Sequence, residues 1–323
     1  MLLKSGMKIF NYVVGVLLPG MLLCGCMDRD VVYMSVEDMS FDDSRLQTCL
    51  LDEARQQGWS KAGQVVRLHC VNPDSDRITT LSGIEQLVNL RELDLAHNAI
   101  SDIAPLAGLQ KLERLDLDDN RVSSIPDVLS HVSLTHLNLD HNMISDVSGL
   151  GLLQRLEMLS LGHNRLQDVT PLQAVESLRV LNLSQNSISD ISPLGTLVQL
   201  RVLNLSDNRI TDLSGIDHLQ QLEHLYLASN RISDIAGLSG LSDLLEIDLA
   251  DNQITSIAPL TELENVGRLT LDGNQLGSIE PLLDFSGLTL VSLRGITGLP
   301  CNTVEQLISE VGSEAVVIDQ KCY

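Results

Sequence analysis

The sequence predicts an α/β solenoid, capped at both ends. Short coils stack with a parallel sheet on the concave face and short 3-10 turns on the convex face. Three observations carry that expectation. Asn98, Asn120, Asn142, Asn164, Asn186, Asn208, Asn230, Asn252 and Asn274 follow one another at a constant step of 22. Leu90, Leu93 and Leu95 keep the same step, recurring as Leu112, Leu115 and Leu117 and again as Leu200, Leu203 and Leu205. Leucine fills 62 of 323 positions while Phe, Tyr and Trp together fill 8, which suits a thin repetitive core better than one globular core.

At the amino end, Lys4 and Lys8 precede an apolar stretch from Ile9 to Leu23. It is about 15 residues long, short of the roughly 20 that a spanning helix needs, and reads as the core of an export signal. The stretch ends in Leu23-Cys24-Gly25-Cys26, which resembles the bacterial lipoprotein signal. That resemblance implies a signal peptide over residues 1–25, with Cys26 as first mature residue carrying a diacylglyceryl thioether and an acylated amine. Met27 stands where Asp often retains such proteins in the inner membrane of enteric bacteria, so the resemblance implies the cell envelope and its outer membrane, on either face. A plain secretory signal cut nearby is the alternative, and Met1 or Met7 serves as initiator. Residues 26–40 are acidic and aperiodic and are expected to be a tether.

Residues 41–89 are expected to close the front of the stack. Leu46, Cys49, Leu50 and Ala54 have helical spacing, with Asp42 or Asp43 ahead of them and Gly58 behind. Trp59 and a strand-like Val65–Cys70 follow, then a partial repeat at Ile78, Leu81, Ile84 and Leu87. Six cysteines divide cleanly. Cys24 leaves with the signal and Cys26 takes the lipid. Cys49 with Cys70, and Cys301 with Cys322, flank the repeats. An exported chain with an even remaining count and no CxxC favours two disulfides, Cys49–Cys70 and Cys301–Cys322, over a metal site.

The nine full copies occupy residues 90–293, with a terminal strand at Leu288–Leu293. Leu93 and Leu95 alternate inward on a short strand while Glu92, Asp94 and Ala96 face outward. The Asn turns the chain and its amide satisfies backbone groups of the neighbouring coil. Asp102, Asp146, Asp168, Asp190, Asp212 and Asp234, with Pro105, Pro171, Pro193, Pro259 and Pro281, suit the start of a short helical turn. The pattern LxxLxLxxN is identified as the leucine-rich repeat, and from Ile78 to Leu293 it resembles the 22-residue subclass of internalins and phosphatase 1 regulatory repeat proteins. The resemblance implies a curved right-handed solenoid. Repeat two departs from it at Val128, His131 and Val132. Residues 294–323 are expected to cap the rear, with an Asn302–Glu305 capping box opening a helix through Leu307 to Val311 and a closing strand at Val316–Ile318.

The net charge of −22 excludes a generic phosphate-backbone binder, so nucleic acid is not an expected partner. No GxSxG, HExxH, phosphate-cradling glycine loop or EF-hand pattern is present, and neither catalytic residues, a metal nor a cofactor is expected. Function is expected on outward positions of the concave sheet, where residues 22 apart are neighbours. One patch is acidic: Asp94, Asp116, Asp118, Asp119, Asp140 and Asn138, among His97, His136, His141 and His163. It reads either as a solvated acidic face or as a site for a cation or basic partner. A second patch is apolar, Met158, Val180 and Val202, followed by His224 and Tyr226. It reads either as cover for the sheet or as a partner site. Three functions remain open: a lipid-anchored module that binds an unknown protein, a structural envelope component without a specific ligand, and an internalin-like host-cell adhesin.

Overall fold

The computed structural model describes residues 31–72, 76–126 and 133–319. Among the described residues, twelve parallel strands form one sheet in strict sequence order. Each is short: β1 Arg67–His69, β2 Glu92–Asp94, β3 Arg114–Asp116, β4 His136–Asn138, β5 Met158–Ser160 and β6 Val180–Asn182. They continue as β7 Val202–Asn204, β8 His224–Tyr226, β9 Glu246–Asp248, β10 Arg268–Thr270, β11 Leu290–Ser292 and β12 Val316–Val317. From β2 to β11 every residue pairs with the one 22 positions on, as Leu93↔Leu115 and Leu203↔Leu225 do. This is the expected leucine-rich solenoid, its convex side made of 3-10 turns such as Ala104–Gly108 and Ser192–Thr196.

The asparagines hold the coils to one another. Asn120 Oδ1 accepts the N–H of Ile100 at 3.0 Å, and its Nδ2 donates to the carbonyls of Leu95 and Leu117 at 3.0 and 3.1 Å. Asn208 repeats the pattern with Ile188, Leu183 and Leu205. One side chain thus serves two coils. Among the described residues no buried side-chain nitrogen or oxygen lacks a partner. The residue before each Asn takes the left-handed conformation, with φ between 48° and 59° at His97, Asp119, His141, His163, Gln185, Asp207, Ser229 and Asp251, and 67° at Gly273. Gly295 repeats it at 72° although Ile296 has replaced the Asn. The turn therefore outlasts the amide.

Convex turns carry the expected prolines within their first two residues. Except at Asp212, where Gly215 holds the N-cap, the aspartates lie one residue farther out than a capping position. Ile103 holds the N-cap, and Asp102 Oδ1 instead accepts the N–H of Ala104 at 2.9 Å, a local Asx turn. Ala96, expected to face outward, is buried, because β2 ends at Asp94 and the chain has already begun to turn.

At the front, α1 (Ser44–Gln57) begins at Asp43 and ends at Gly58, whose φ of 73° suits the left-handed cap. Asp43 accepts hydrogen bonds from Arg45 and from the N–H and Oγ1 of Thr79, pinning the helix to the partial repeat. Burial opposes its charge, but the Arg45 guanidinium and these N–H groups hold the carboxyl well below the usual carboxylate range. Cys49 and Cys70 are joined as expected, 5.8 Å apart at Cα. The packed cap starts earlier than residue 41, however. Val36 and Met39, placed by sequence in a tether, are buried, and Ser35 bridges to Lys61. Two apolar side chains spaced three apart find a pocket against the cap, which an acidic composition obscured.

At the rear, α2 (Cys301–Val311) starts one residue before Asn302 with Pro300 as its N-cap, and the Asn302–Glu305 capping box does not form. The proline's fixed φ is itself suited to a helix start. Val316 and Val317 pair with Val291 and Ser292. Cys26 with the whole of residues 1–30, the repeat-two positions Val128, His131 and Val132, and Cys322 lie outside the described residues. Among the described residues, no helix is long and apolar enough to cross a membrane.

The ladder predicts an unequal cost for neighbouring polar residues. Asn208→Ala leaves the Ile188 N–H unpaired in the interior and takes one of two donors from each of the Leu183 and Leu205 carbonyls, which keep Asn186 and Asn230, and is expected to cost about 2 to 3 kcal/mol. Ser206→Ala, two residues away, should cost well under about 1 kcal/mol. Urea denaturation followed by circular dichroism measures both, and equal midpoints would contradict the role given to the amide.

Candidate protein-binding surface on the concave sheet

From β1 to β10 each three-residue strand turns its middle aliphatic residue, leucine in all but β9, inward and its first and third residues outward. Two parallel rows result. The first runs Arg67, Glu92, Arg114, His136, Met158, Val180, Val202, His224, Glu246, with each residue paired to the next. The second runs His69, Asp94, Asp116, Asn138, Ser160, Asn182, Asn204, Tyr226, Asp248 across the same pairings. The expected apolar patch is therefore contiguous. Met158 is 40% exposed, and Val180 and Val202 beside it are half-buried. His224 Nδ1 lies 3.3 Å from Glu246 Oε2, and the Tyr226 hydroxyl donates to the same carboxylate at 3.3 Å. Burial, followed by the charge of Glu246, pushes the Tyr226 phenol up.

The expected acidic patch is not one surface. Asp94 and Asp116 lie on the strand floor, whereas Asp118 and Asp140 sit in the turn after the strand and His97, Asp119, His141 and His163 occupy the left-handed column at the rim. Three-residue strands cause this split, since the chain leaves the sheet immediately after Asp116. Rim groups largely satisfy one another. His141 Nδ1 meets Asp118 Oδ1 at 2.9 Å, and its ring stacks on that of His163 with centroids 3.9 Å apart. Asp119 faces His97 and Arg77, both at 3.1 Å, and these contacts hold its carboxyl below the usual range. Asp140 accepts the Ser160 hydroxyl at 2.7 Å and the Gly162 N–H at 2.5 Å. It is a brace in the turn and is poorly placed as a partner contact. Among the described residues no group of three or more His, Cys, Asp or Glu is arranged to hold a metal ion.

The floor carboxylates differ. Asp116 accepts the Asp118 N–H at 2.9 Å and the Asn138 amide at 3.2 Å, both neutral donors. Burial pushes its carboxyl up, and the charges of Asp94 and Asp118 add to the effect. Asp248, six strands along the same row, is raised for the same leading reason. Burial and the nearby Arg114 push the His136 imidazole down, which favours its neutral form. Across β1–β6 the floor forms a hollow of about 410 Å³ between Asp94 and Asp116 on one side and Met158 and Val180 on the other. Sequence reasoning did not single out Arg114 and Asp248, although both were visible in the same 22-residue columns.

Asp116 gives a pH dependence with a definite sign. Its folded-state carboxyl titrates above its unfolded value, so ionising it disfavours the fold, and stability is lost as pH rises through the folded value. Asp116→Asn is therefore expected to raise the thermal midpoint at pH 7, and the gain should shrink as pH falls below the unfolded carboxylate value near 3.8. Calorimetry at pH 7 and pH 3.5 measures it. A gain that grows on acidification would contradict the burial argument.

A family model described as leucine-rich repeats (2 copies) matches residues 88–131, 132–174, 176–218 and 220–265. An internalin of Listeria monocytogenes shares the fold at 24% identity and TM-score 0.73, over 90% of this chain and 98% of that one. Internalin C2 of Listeria monocytogenes is 30% identical with TM-score 0.57, over 74% of this chain and 96% of that one. A leucine-rich repeat protein of Leptospira interrogans is 25% identical with TM-score 0.51, over 74% and 76%. No curated protein matches the chain.

Proposed function

The chain belongs to the leucine-rich repeat family, and on that premise we propose that it is a lipid-anchored envelope protein presenting its concave sheet to a protein partner. The observation that carries this reading is the row Met158, Val180, Val202 on three adjacent strands. Three apolar side chains in register on an open, rigid sheet form a surface whose desolvation favours contact with another protein. Toward the front of the second row stands Asp116, whose carboxyl burial raises, and a basic partner group there would relieve the cost of its charge. Few aromatic anchors face the sheet, which suits a modest or avidity-driven interaction. The repeat is an interaction scaffold, and the reading gives no residue a catalytic role. The anchor rests on Lys4, Lys8, the apolar stretch to Leu23 and the Gly25-Cys26 junction, since two or more acyl chains make membrane attachment stable. The net charge of −22 argues against nucleic acid as partner.

Two measurements test the reading. Val180→Asp and Val202→Asp each place a charge at a solvent-facing position and are expected to weaken partner binding about tenfold while the circular dichroism spectrum stays unchanged. Leu203→Asp, one residue along and fully buried, should unfold its coil. A pull-down from envelope extract measures binding, and full binding by both valine variants would remove the concave face from the reading. Separately, Cys26→Ser should abolish incorporation of labelled fatty acid, and label retained by that variant would sink the anchor.

A further inference from the structure

The hollow over β1–β6 does not end at the sheet. A second hollow of about 620 Å³ continues from it under the front cap, and the two share His69, Glu92 and Arg114. Its far wall is Trp59, half-buried at the end of α1, with Glu53 and Gln57 above it. A continuous trough therefore runs from Trp59, across five strand steps, to Val180. Strands lie about 4.8 Å apart, so the sheet part spans roughly 24 Å, the length of about seven extended residues. An occupant lying across β2 to β6 meets no open sheet edge, because each of those strands is hydrogen-bonded on both sides. Its side chains must carry recognition.

The walls are chemically distinct. Arg67 is occupied by Glu92 at 3.0 Å, and Arg91 is occupied by Glu113. On the second row Asp94 accepts the Ala96 N–H at 3.1 Å and lies 3.6 Å from His69, while Asp116 receives only neutral donors. Asp94 and Asp116 are adjacent on neighbouring strands, with Arg114 as the cation on the row beside them. Like charges at that spacing invite a cation from outside. Two strands farther on, Met158 and Val180 offer aliphatic surface, and Trp59 offers an aromatic face at the opposite end.

We propose that this trough binds an extended polypeptide segment bearing a lysine or arginine flanked by apolar residues. The cation sits over Asp94 and Asp116, one apolar side chain packs on Met158 and Val180, and the chain runs out past Trp59. The proposal rests on the concave-face reading and deepens it, assigning the contact to the front half of the sheet and a chemistry to the ligand.

Trp59 is the single tryptophan of the chain, so its fluorescence reports occupancy of the trough directly. The full chain in detergent is screened against an array of capped heptapeptides centred on lysine or arginine with apolar flanks, alongside the same array centred on glutamate. Binders are expected from the cationic array alone and should shift Trp59 emission. Asp116→Asn and Val180→Asp should each lower their affinity about tenfold, whereas Asp248→Asn, a matched carboxylate outside the trough, should leave it unchanged. Absence of binders, binders from the glutamate array, or equal loss in Asp116→Asn and Asp248→Asn overturns the proposal. If the trough variants bind the pulled-down partner as the parent does while Val202→Asp does not, the trough fails and the concave-face reading stands. If Val202→Asp also binds normally, both fail.

Discussion

The hydrogen bonds of the asparagine column are the constraint on which the remaining structure depends. Every coil must turn its backbone away from a three-residue strand, which leaves carbonyl and N–H groups pointing into a dry interior. Asn230 answers the Ile210 N–H with its oxygen and the Leu205 and Leu227 carbonyls with its nitrogen. No hydrophobic side chain supplies those three partners, and water is excluded. Leucines provide the driving force for stacking, but the amide fixes how far one coil may slide on the next. Sheet register follows from that, and so do the two outward rows on which any recognition depends.

Because register is uniform, the surface can vary freely while the scaffold stays constant. The second row passes from acid at Asp94 and Asp116 through the neutral Asn138, Ser160, Asn182 and Asn204 to Tyr226 and acid again at Asp248. Internal bonds link part of that neutral stretch, as where Asn182 donates to the Ser160 hydroxyl at 2.9 Å. Asp116 and Asp248 keep a burial cost on the floor, whereas at the rim His97 and Arg77 favour the charge of Asp119. Position within the coil, more than the number of acids, decides which charges are left for a partner.

Much of this was legible in the sequence because a 22-residue period converts linear spacing into spatial adjacency. Asn98, Leu93 and Val180 all landed where the columns placed them, and so did Cys49 beside Cys70. What escaped lay where the period is silent. Val36 and Met39 pack on a non-repeating cap, so no column announced them. Asp118 and Asp140 shared a column with each other but not with the strand, since strand length is set by where the left-handed residue falls. Pro300 displaced Asn302 as the start of α2 because a fixed backbone angle sufficed without a side-chain cap.

The fixed offsets also bear on how such a chain lengthens. From Asn120 to Asn274 each asparagine reaches back 20 residues for its donor and 25 for one of its carbonyls. Duplicating or deleting 22 residues leaves every offset intact, whereas any other number misplaces an amide and strands its partners. Heritable change in length is thus quantised in whole coils. Unequal recombination between neighbouring coils yields a foldable product at each step, and breadth of the concave face is a quantity that selection can adjust one strand at a time.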